Sequence, residues 1–171
     1  MSIIKVLEKK EAGRKAKKIY KIFEEQGKET PEWIKVMAHR PEILKEFFEL
    51  FKTIMGKGKI APFLKWKIAY LISQTLKCPF CVDATSKMLK KLGAKKEDLK
   101  KARQLRAETD KEKELFALVK EVTLTANVNN PELIEKLKKN FSEAEIVEIV
   151  SIIGLFNYIN RFNNTLCILP E

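Results

Sequence analysis

The chain has 171 residues, of which 45% are hydrophobic and 33% charged, a composition that suits one globular domain with a substantial core. We therefore expect residues 1–171 to form a single domain. The formal net charge of +11 would suit nucleic acid or an acidic membrane surface. The lysines, however, interleave with glutamates and apolar residues, as they do on solvated helix faces, so no nucleic-acid partner is predicted.

The sequence also indicates where in the cell the protein is expected. The segment from Met1 to Lys5 lacks the apolar core of a secretory signal. No uninterrupted apolar run reaches the ~18 residues of a membrane span, since Lys65, Lys67 and Glu148 cut the best candidates. The chain has three cysteines, and this odd number does not suggest a secreted protein held together by disulfides. We predict a cytoplasmic protein without a membrane partner, where a C-x-x-C pair is more often redox-active or metal-binding than structural.

Helical periodicity recurs along the whole chain, and no segment shows the alternation of a strand. An apolar stripe predicts a first helix from Glu11 to Glu25. Thr30 as N-cap and Pro31 at the first helical position predict a short helix that ends near His39. A third helix begins at Pro41 and stops before the glycines that follow it. Its inward-facing side chains are predicted to be Ile43, Leu44, Phe47, Phe48, Phe51 and Met55.

The segment from Ala61 to Leu76 leaves little polar surface on any side. It predicts a central helix that is buried by its neighbours or by another subunit. The next helix runs to about Leu92, where Gly93 ends it.

Four further helices are expected in the C-terminal half. A weak, charged one spans Ala94 to Arg106, one spans about Thr109 to Ala126, and a short one spans Pro131 to Lys139. Ser142 and Glu145 form a capping box that opens the last long helix, which ends near residue 163. Its predicted core residues are Ile146, Val147, Ile149, Val150, Ile152, Ile153, Leu155, Phe156 and Ile159. The chain is thus predicted to be all-α, with eight or nine helices.

Two cysteines in the spacing C-x-x-C lie where one apolar helix ends and the next begins. Pro79 cannot lie inside a helix but suits its first turn, so Cys78 is predicted as the N-cap and Cys81 as the third helical residue. Unpaired N–H groups and the positive end of the helix dipole stabilise a thiolate there. The spacing brings one sulfur within bonding reach of the other, so the pair can cycle through a disulfide.

Two other interpretations of the pair stay open. A zinc site needs two more ligands, and the chain offers only His39 and Cys167; otherwise the pair is two inert, buried thiols. A redox pair is favoured. Between Glu49 and Asp83 there are six lysines and no acid, which would favour a thiolate if those lysines lie near the sulfurs. No metal and no cofactor are predicted.

The stretch from Ile68 to Gly93, IAYLISQTLKCPFCVDATSKMLKKLG, resembles the core of the alkyl hydroperoxidase D and carboxymuconolactone decarboxylase family, especially its peroxidase-related members. His39-Arg40-Pro41 and the closing segment 157–163 agree with it. The resemblance implies an all-helical bundle that assembles as a homo-oligomer, often a trimer or hexamer. It also implies a thiol peroxidase or disulfide reductase that is recharged by a dithiol partner, such as a lipoyl group or a thioredoxin-like protein.

The resemblance assigns roles to individual residues. The family's second cysteine attacks peroxide and the first resolves, which implies Cys81 as the peroxidatic residue and Cys78 as the resolving one. Because Cys78 lies nearer the N-terminus of its helix, the helix dipole alone would predict that Cys78 is the more acidic thiol. The family's proton relay uses a glutamate and a histidine at the positions of Trp66 and Thr85. Because general acid–base help is typically worth ~10²–10⁴-fold in rate, a slow or altered enzyme is expected.

A few other residues invite a functional interpretation. Asp83 and His39 are candidates to replace the relay, although Asp83 is expected to be an exposed partner of the helix dipole and His39 a capping or packing residue. Cys167 is expected to be a packed thiol, and Trp33 and Trp66 are expected in the core or an interface. A polar stripe on the last helix is predicted to form a buried hydrogen-bond network or a subunit contact. It comprises Asn157, Asn160, Arg161 and Asn164.

The sequence therefore predicts an oligomeric, antioxidant thiol-redox protein of peroxidase type, with Cys81 and Cys78 as its catalytic pair. The alternative is a non-catalytic member that serves as an oligomeric binding or scaffold protein. The replaced relay positions favour this alternative, and the retained cysteine pair disfavours it. Lactone decarboxylation, the family's other activity, does not need the pair and is disfavoured for that reason.

Overall fold

The structure, a computed structural model, describes residues 2–104 and 106–170. Within these ranges the chain forms nine α-helices and no strand, as the periodicity predicts. No helix in them is long and apolar enough to cross a membrane. The helices are α1 Arg14–Glu25, α2 Glu32–Met37, α3 Pro41–Met55, α4 Pro62–Thr75, α5 Pro79–Lys91, α6 Lys96–Arg103, α7 Asp110–Thr125, α8 Pro131–Asn140 and α9 Glu143–Thr165.

The core is built around α4, which packs against α5, α7 and α9. Its second half, from Lys67 to Ser73, is buried on every side. This confirms the central helix predicted from the near absence of polar positions. The apolar side chains of α1, α3, α7 and α9 complete the same core.

Local signals set most of the helix ends. The Oγ of Ser142 accepts the N–H of Glu145, whose carboxylate accepts the N–H of Ser142 at 2.8 Å, so the predicted capping box is confirmed. The prediction for Thr30 is wrong, because Pro31 itself is the N-cap of α2 and no side chain caps that helix. The sixth helix is shorter than predicted, since Lys95 and Asp98 cap it at its start; Leu105, near its predicted end, lies outside the described residues.

Two lysines of α4 are buried in ion pairs. Lys65 donates to the carbonyl oxygens of Ile54 at 2.6 Å and Gly56 at 2.8 Å, and its ammonium contacts the carboxylate of Glu148 on α9. Lys67 pairs with Glu112 of α7 at 2.7 Å. Since both charges are compensated by carboxylates, neither lysine supplies the free positive charge that the acid-free stretch suggested for the sulfurs.

The carboxylate of Glu148 is held from several sides. Its Oε2 accepts the N–H groups of Lys59 at 2.7 Å and Ile60 at 3.2 Å. Desolvation alone would raise the pKa of Glu148, but the hydrogen bonds from Lys65, Lys59 and Ile60 hold it below its usual value. The group therefore ties the loop after α3 to α4 and α9.

Several side chains that were predicted to be inward-facing lie at the surface. Val147 is 67% exposed, and Ile43 and Val150 are also exposed. These predictions are wrong because periodicity identifies an apolar face but not what covers it. With their neighbours they form an exposed apolar surface, which we name the α3/α9 face. It consists of Ile43, Leu50, Val147, Val150, Gly154 and Tyr158.

Candidate active site

The chain turns from α4 into α5 with almost no loop. Lys77 adopts a left-handed conformation with φ 52°, and the N–H of Cys78 returns to the carbonyl oxygen of Ser73 at 3.1 Å, as in a Schellman motif. Cys78 then caps α5, because its Sγ accepts the N–H of Cys81 at 3.3 Å. The predicted N-cap is confirmed, and one residue both ends α4 and begins α5.

The two sulfurs of the C-x-x-C pair lie at bonding distance and form a disulfide, with Cα atoms 5.3 Å apart. Both cysteines are buried, Cys78 completely and Cys81 with 4% of its surface exposed. Cys81 lines a neighbouring cavity, and Cys78 is not among its walls. Of the two cysteines, Cys81 is therefore the one placed for contact with a ligand.

This cavity of about 330 Å³ is mainly aromatic. Its walls come from α1, α2, α3, α4, α5 and α9, and several of them are only half-buried. No Asp, Glu, His, Lys or Arg belongs to the walls that the structure describes. They are Phe23, Pro31, Trp33, Phe48, Phe51, Trp66, Phe80, Cys81, Ala84, Thr85, Met88, Phe156, Ile159 and Asn163.

Both positions at which the relay groups would stand face this cavity. Trp66 packs edge-on against Phe156, with ring centroids 6.0 Å apart, and is a wall of the cavity. Thr85 is buried, and its Oγ1 donates to the carbonyl oxygen of Cys81 at 2.6 Å and not to a sulfur. No described side chain of the walls can therefore serve Cys81 as a general base near neutral pH.

Neither candidate substitute for the relay lines the cavity. His39 is exposed, and its Nε2 hydrogen-bonds with the carbonyl oxygen of Lys5 at 2.8 Å. Asp83 pairs with Lys87 at 2.7 Å. Cys167 is exposed, so its prediction as a packed thiol is wrong. It occupies the left-handed position after α9, with φ 55°.

Asn163 is the site residue that sequence reasoning missed. Its Nδ2 donates to the Sγ of Cys81 at 3.3 Å, and its Oδ1 has no hydrogen-bond partner among the described residues. A signal was present, since Asn163 follows Phe156 and Ile159 by seven and four residues and so shares their face of α9. Both of these residues are cavity walls.

The predicted polar stripe on α9 lies beside this face. Asn157 hydrogen-bonds with Arg161, which also donates to the carbonyl oxygen of Thr123 at 3.3 Å. Asn164 donates to the carbonyl oxygen of Leu76 at 3.0 Å and so fastens the end of α4 to α9. All four residues of the stripe make hydrogen bonds, but only Asn160 is buried, so the predicted buried network is not what the structure has. Within the described residues, no three side chains of His, Cys, Asp or Glu come together as a metal site.

The sequence profile of the carboxymuconolactone decarboxylase family matches residues 41–121. This segment runs from the start of α3 into α7 and contains the C-x-x-C pair and the positions of Trp66 and Thr85. No curated protein matches the chain significantly in sequence.

Several solved structures share the fold over nearly the whole chain. An uncharacterized peroxidase-related protein of the alkylhydroperoxidase AhpD core from Ralstonia eutropha JMP134 is 21% identical, with a TM-score of 0.87 over 99% of this chain and 92% of its own. A Cys-to-Ala variant of the debrominase Bmp8 in complex with 2,3,4-tribromopyrrole is 22% identical, with a TM-score of 0.83 over 100% and 92%. A protein of unknown function from Agrobacterium tumefaciens, provisionally assigned to AhpD antioxidant defence, is 26% identical, with a TM-score of 0.73 over 79% and 94%.

Proposed function

The chain belongs to the alkyl hydroperoxidase D and carboxymuconolactone decarboxylase family, and we propose that it is a thiol-dependent peroxidase that works through Cys81 and Cys78. One observation carries the proposal. Cys81 lies in the wall of an apolar cavity, and the sulfur of Cys78 lies at bonding distance from the sulfur of Cys81. A substrate in the cavity meets one thiol, and the other thiol is placed to resolve the product.

The reaction proceeds in two balanced steps. The thiolate of Cys81 attacks the terminal oxygen of a hydroperoxide ROOH, the O–O bond breaks, and Cys81 becomes a sulfenic acid while RO⁻ takes a proton from solvent and leaves as ROH. The thiol of Cys78 then attacks the sulfenic sulfur, which forms the disulfide and releases water. Two electrons pass from the thiols to the peroxide.

The cavity favours a substrate that is apolar and uncharged. Its walls offer aromatic rings and no charged side chain among the described residues, so a charged peroxide would lose its hydration without a compensating partner. The thiolate has no base beside it and depends on the N-terminus of α5 and on nearby donors. We therefore expect turnover slower than in an enzyme with a complete proton relay.

Two partners belong to the proposal. A dithiol, such as a lipoyl group or a thioredoxin-like protein, reduces the disulfide by exchange, in keeping with a cytoplasmic location. A second copy of the chain covers the α3/α9 face, since exposed apolar surface of this kind commonly marks an interface. On α9 this surface places Val147, Gly154 and Tyr158 in one stripe, as expected for a helix that packs against a partner.

Thiol counting by mass spectrometry tests the catalytic proposal. The reduced protein is treated with one equivalent of cumene hydroperoxide, and wild type is compared with Cys81→Ser and with Cys167→Ser as a matched control. We expect rapid loss of two thiols through a Cys78–Cys81 disulfide in wild type and in the control, no such disulfide in Cys81→Ser, and reversal by dihydrolipoamide. Thiols that react no faster than free cysteine would contradict the peroxidase proposal and favour a non-catalytic binding protein.

A second candidate is the reductive removal of halogen from an aromatic ring. The aromatic walls would enclose a planar ring, and the fold is similar to that of a debrominase solved with tribromopyrrole. Here the Cys81 thiolate takes the halogen, the ring carbon takes a proton, and Cys78 displaces halide as the disulfide forms. Halide release from a bromopyrrole in the presence of a dithiol, without peroxide, distinguishes this reaction from the first candidate.

A further inference from the structure

One polar side chain shares the cavity with Cys81 and is directed at its sulfur. Asn163 on α9 is 1% exposed, and its Nδ2 donates to the Sγ of Cys81 at 3.3 Å. The hydroxyl of Thr85 is already committed to the carbonyl oxygen of Cys81. Among the described walls, Asn163 is the only side chain that donates a hydrogen bond to this sulfur.

The side-chain amide of Asn163 contacts the site through Nδ2. Its Oδ1 has no hydrogen-bond partner among the described residues, as is also true of Asn160 on the same helix. A leucine of similar size would leave no unpaired oxygen at this place. A neutral sulfur is a weak acceptor, so the N–H···S contact contributes little while the sulfur is neutral. The donor therefore favours a state in which the sulfur is charged.

That state is the thiolate of the reduced protein. A hydrogen bond to an ionised acceptor is roughly twice as strong as one between neutral groups, and an apolar surrounding strengthens it further. No titratable or charged group other than Cys81 belongs to the described walls from α1, α2, α3, α4, α5 or α9. Burial thus disfavours the thiolate, while the N-terminus of α5 and the amide of Asn163 favour it.

We propose that Asn163 is a catalytic residue of this site, which stabilises the thiolate of Cys81 by donating its Nδ2–H to the attacking sulfur. This role rests on the proposed function, in which Cys81 is the nucleophile. The amide does not act as a base: the thiol proton goes to water, and the N–H bonds stay intact. Asn163 thus supplies the electrostatic part of a relay whose acid–base part is absent from the cavity.

The test measures the acidity of Cys81 without any peroxide. In a Cys78→Ser, Cys167→Ser background, Cys81 is the single thiol, and its rate of alkylation by iodoacetamide is followed against pH. In Asn163→Leu we expect the thiol pKa to rise by about one to two units, so that alkylation below this pKa slows about tenfold or more. Urea unfolding of the same protein should show an unchanged or higher midpoint.

Asn160→Leu is the matched control. Asn160 is also fully buried on α9, its Oδ1 is also unpartnered, and its Nδ2 donates to the carbonyl oxygen of Phe156 at 2.7 Å and not to a sulfur. We expect no change in the thiol pKa. Asn163→Gln, which keeps an amide, should have a thiol pKa below that of Asn163→Leu.

An unchanged thiol pKa in Asn163→Leu, or an equal rise in Asn160→Leu, would overturn the proposal. If Asn163→Leu does not fold, Asn163→Ala is measured instead with the same expected rise. A raised pKa in a protein whose wild type does not react with peroxide would end the peroxidase proposal and leave intact only the stabilisation of the Cys81 thiolate by Asn163. The two proposals therefore fail separately.

Discussion

The two ends of α4 both bury polar groups, but they do so in opposite ways. At the N-terminal end, the ammonium of Lys65 contacts two carbonyl oxygens and the carboxylate of Glu148. At the other end, Cys81 and Asn163 border an aromatic cavity, and the amide oxygen has no partner among the described residues. Complete pairing stabilises a fold, whereas incomplete pairing beside a cavity leaves groups available for chemistry. The buried ion pair at one end therefore supports α4, whereas the other end of α4 positions the thiols.

Glu148→Ala removes the carboxylate that pairs with Lys65 and should have the largest effect. The side chain of Lys65 is 1% exposed and would keep a buried charge without its carboxylate, so we expect a loss of about 3–5 kcal/mol in the free energy of unfolding. Urea denaturation measures it. The control is Glu25→Ala, which removes an exposed pair with Lys21 and should change stability by less than ~1 kcal/mol. Equal losses in the two variants would contradict the role assigned to Lys65 and Glu148.

The same carboxylate makes stability depend on pH. Because its folded pKa is lowered, Glu148 contributes stability above its ordinary value of 4.5 and loses this contribution as the pH falls through the folded pKa. Glu148→Gln lacks this titration. The stability difference between wild type and Glu148→Gln should therefore narrow on acidification, and a constant difference would argue against the ion pair.

Thr85→His places a base beside Cys81. Residue 85 lines the cavity beside Cys81, and an imidazole there can take the proton of the thiol. We expect the reaction with cumene hydroperoxide to become about 10²-fold faster, as measured by rapid-mixing kinetics. Thr85→Gln adds similar bulk without a base and serves as the control. Equal rates in the two variants would show that proton transfer does not limit the reaction.

Lys77→Gly should have the smallest effect. Lys77 holds a left-handed conformation, which costs a residue with a Cβ about 1 kcal/mol and a glycine much less. We expect a gain of about 1 kcal/mol in the free energy of unfolding, seen as a higher urea midpoint. Lys77→Ala keeps the Cβ and should show no comparable gain. A loss of stability in Lys77→Gly would mean that the lysine side chain itself supports the turn.

The features that could be predicted from sequence are those with local signals. Pro79 and Gly93 mark the two ends of α5. The spacing of Cys78 and Cys81 by itself predicts that their two sulfurs lie close together. The replaced relay positions were implied by the family resemblance, which fixes their distance from this motif. Each of these signals lies within about a dozen residues of the feature that it predicts.

The remaining features depend on tertiary packing. The contact of Asn163 with Cys81 spans 82 residues, and the cavity draws its walls from six helices. Lys65 was interpreted as part of an acid-free stretch because Glu148, its partner, is distant in sequence. Val147 was placed in the core because an apolar pattern does not reveal whether the bundle or another surface covers it.

The position of the two tryptophans has a spectroscopic consequence. Trp33 and Trp66 are the only tryptophans of the chain, and both are walls of the cavity beside Cys81. The intrinsic fluorescence of the unmodified protein therefore originates almost entirely from this one region. Opening of the disulfide or entry of an aromatic molecule would change the emission directly, so the chain carries its own optical probe of the site.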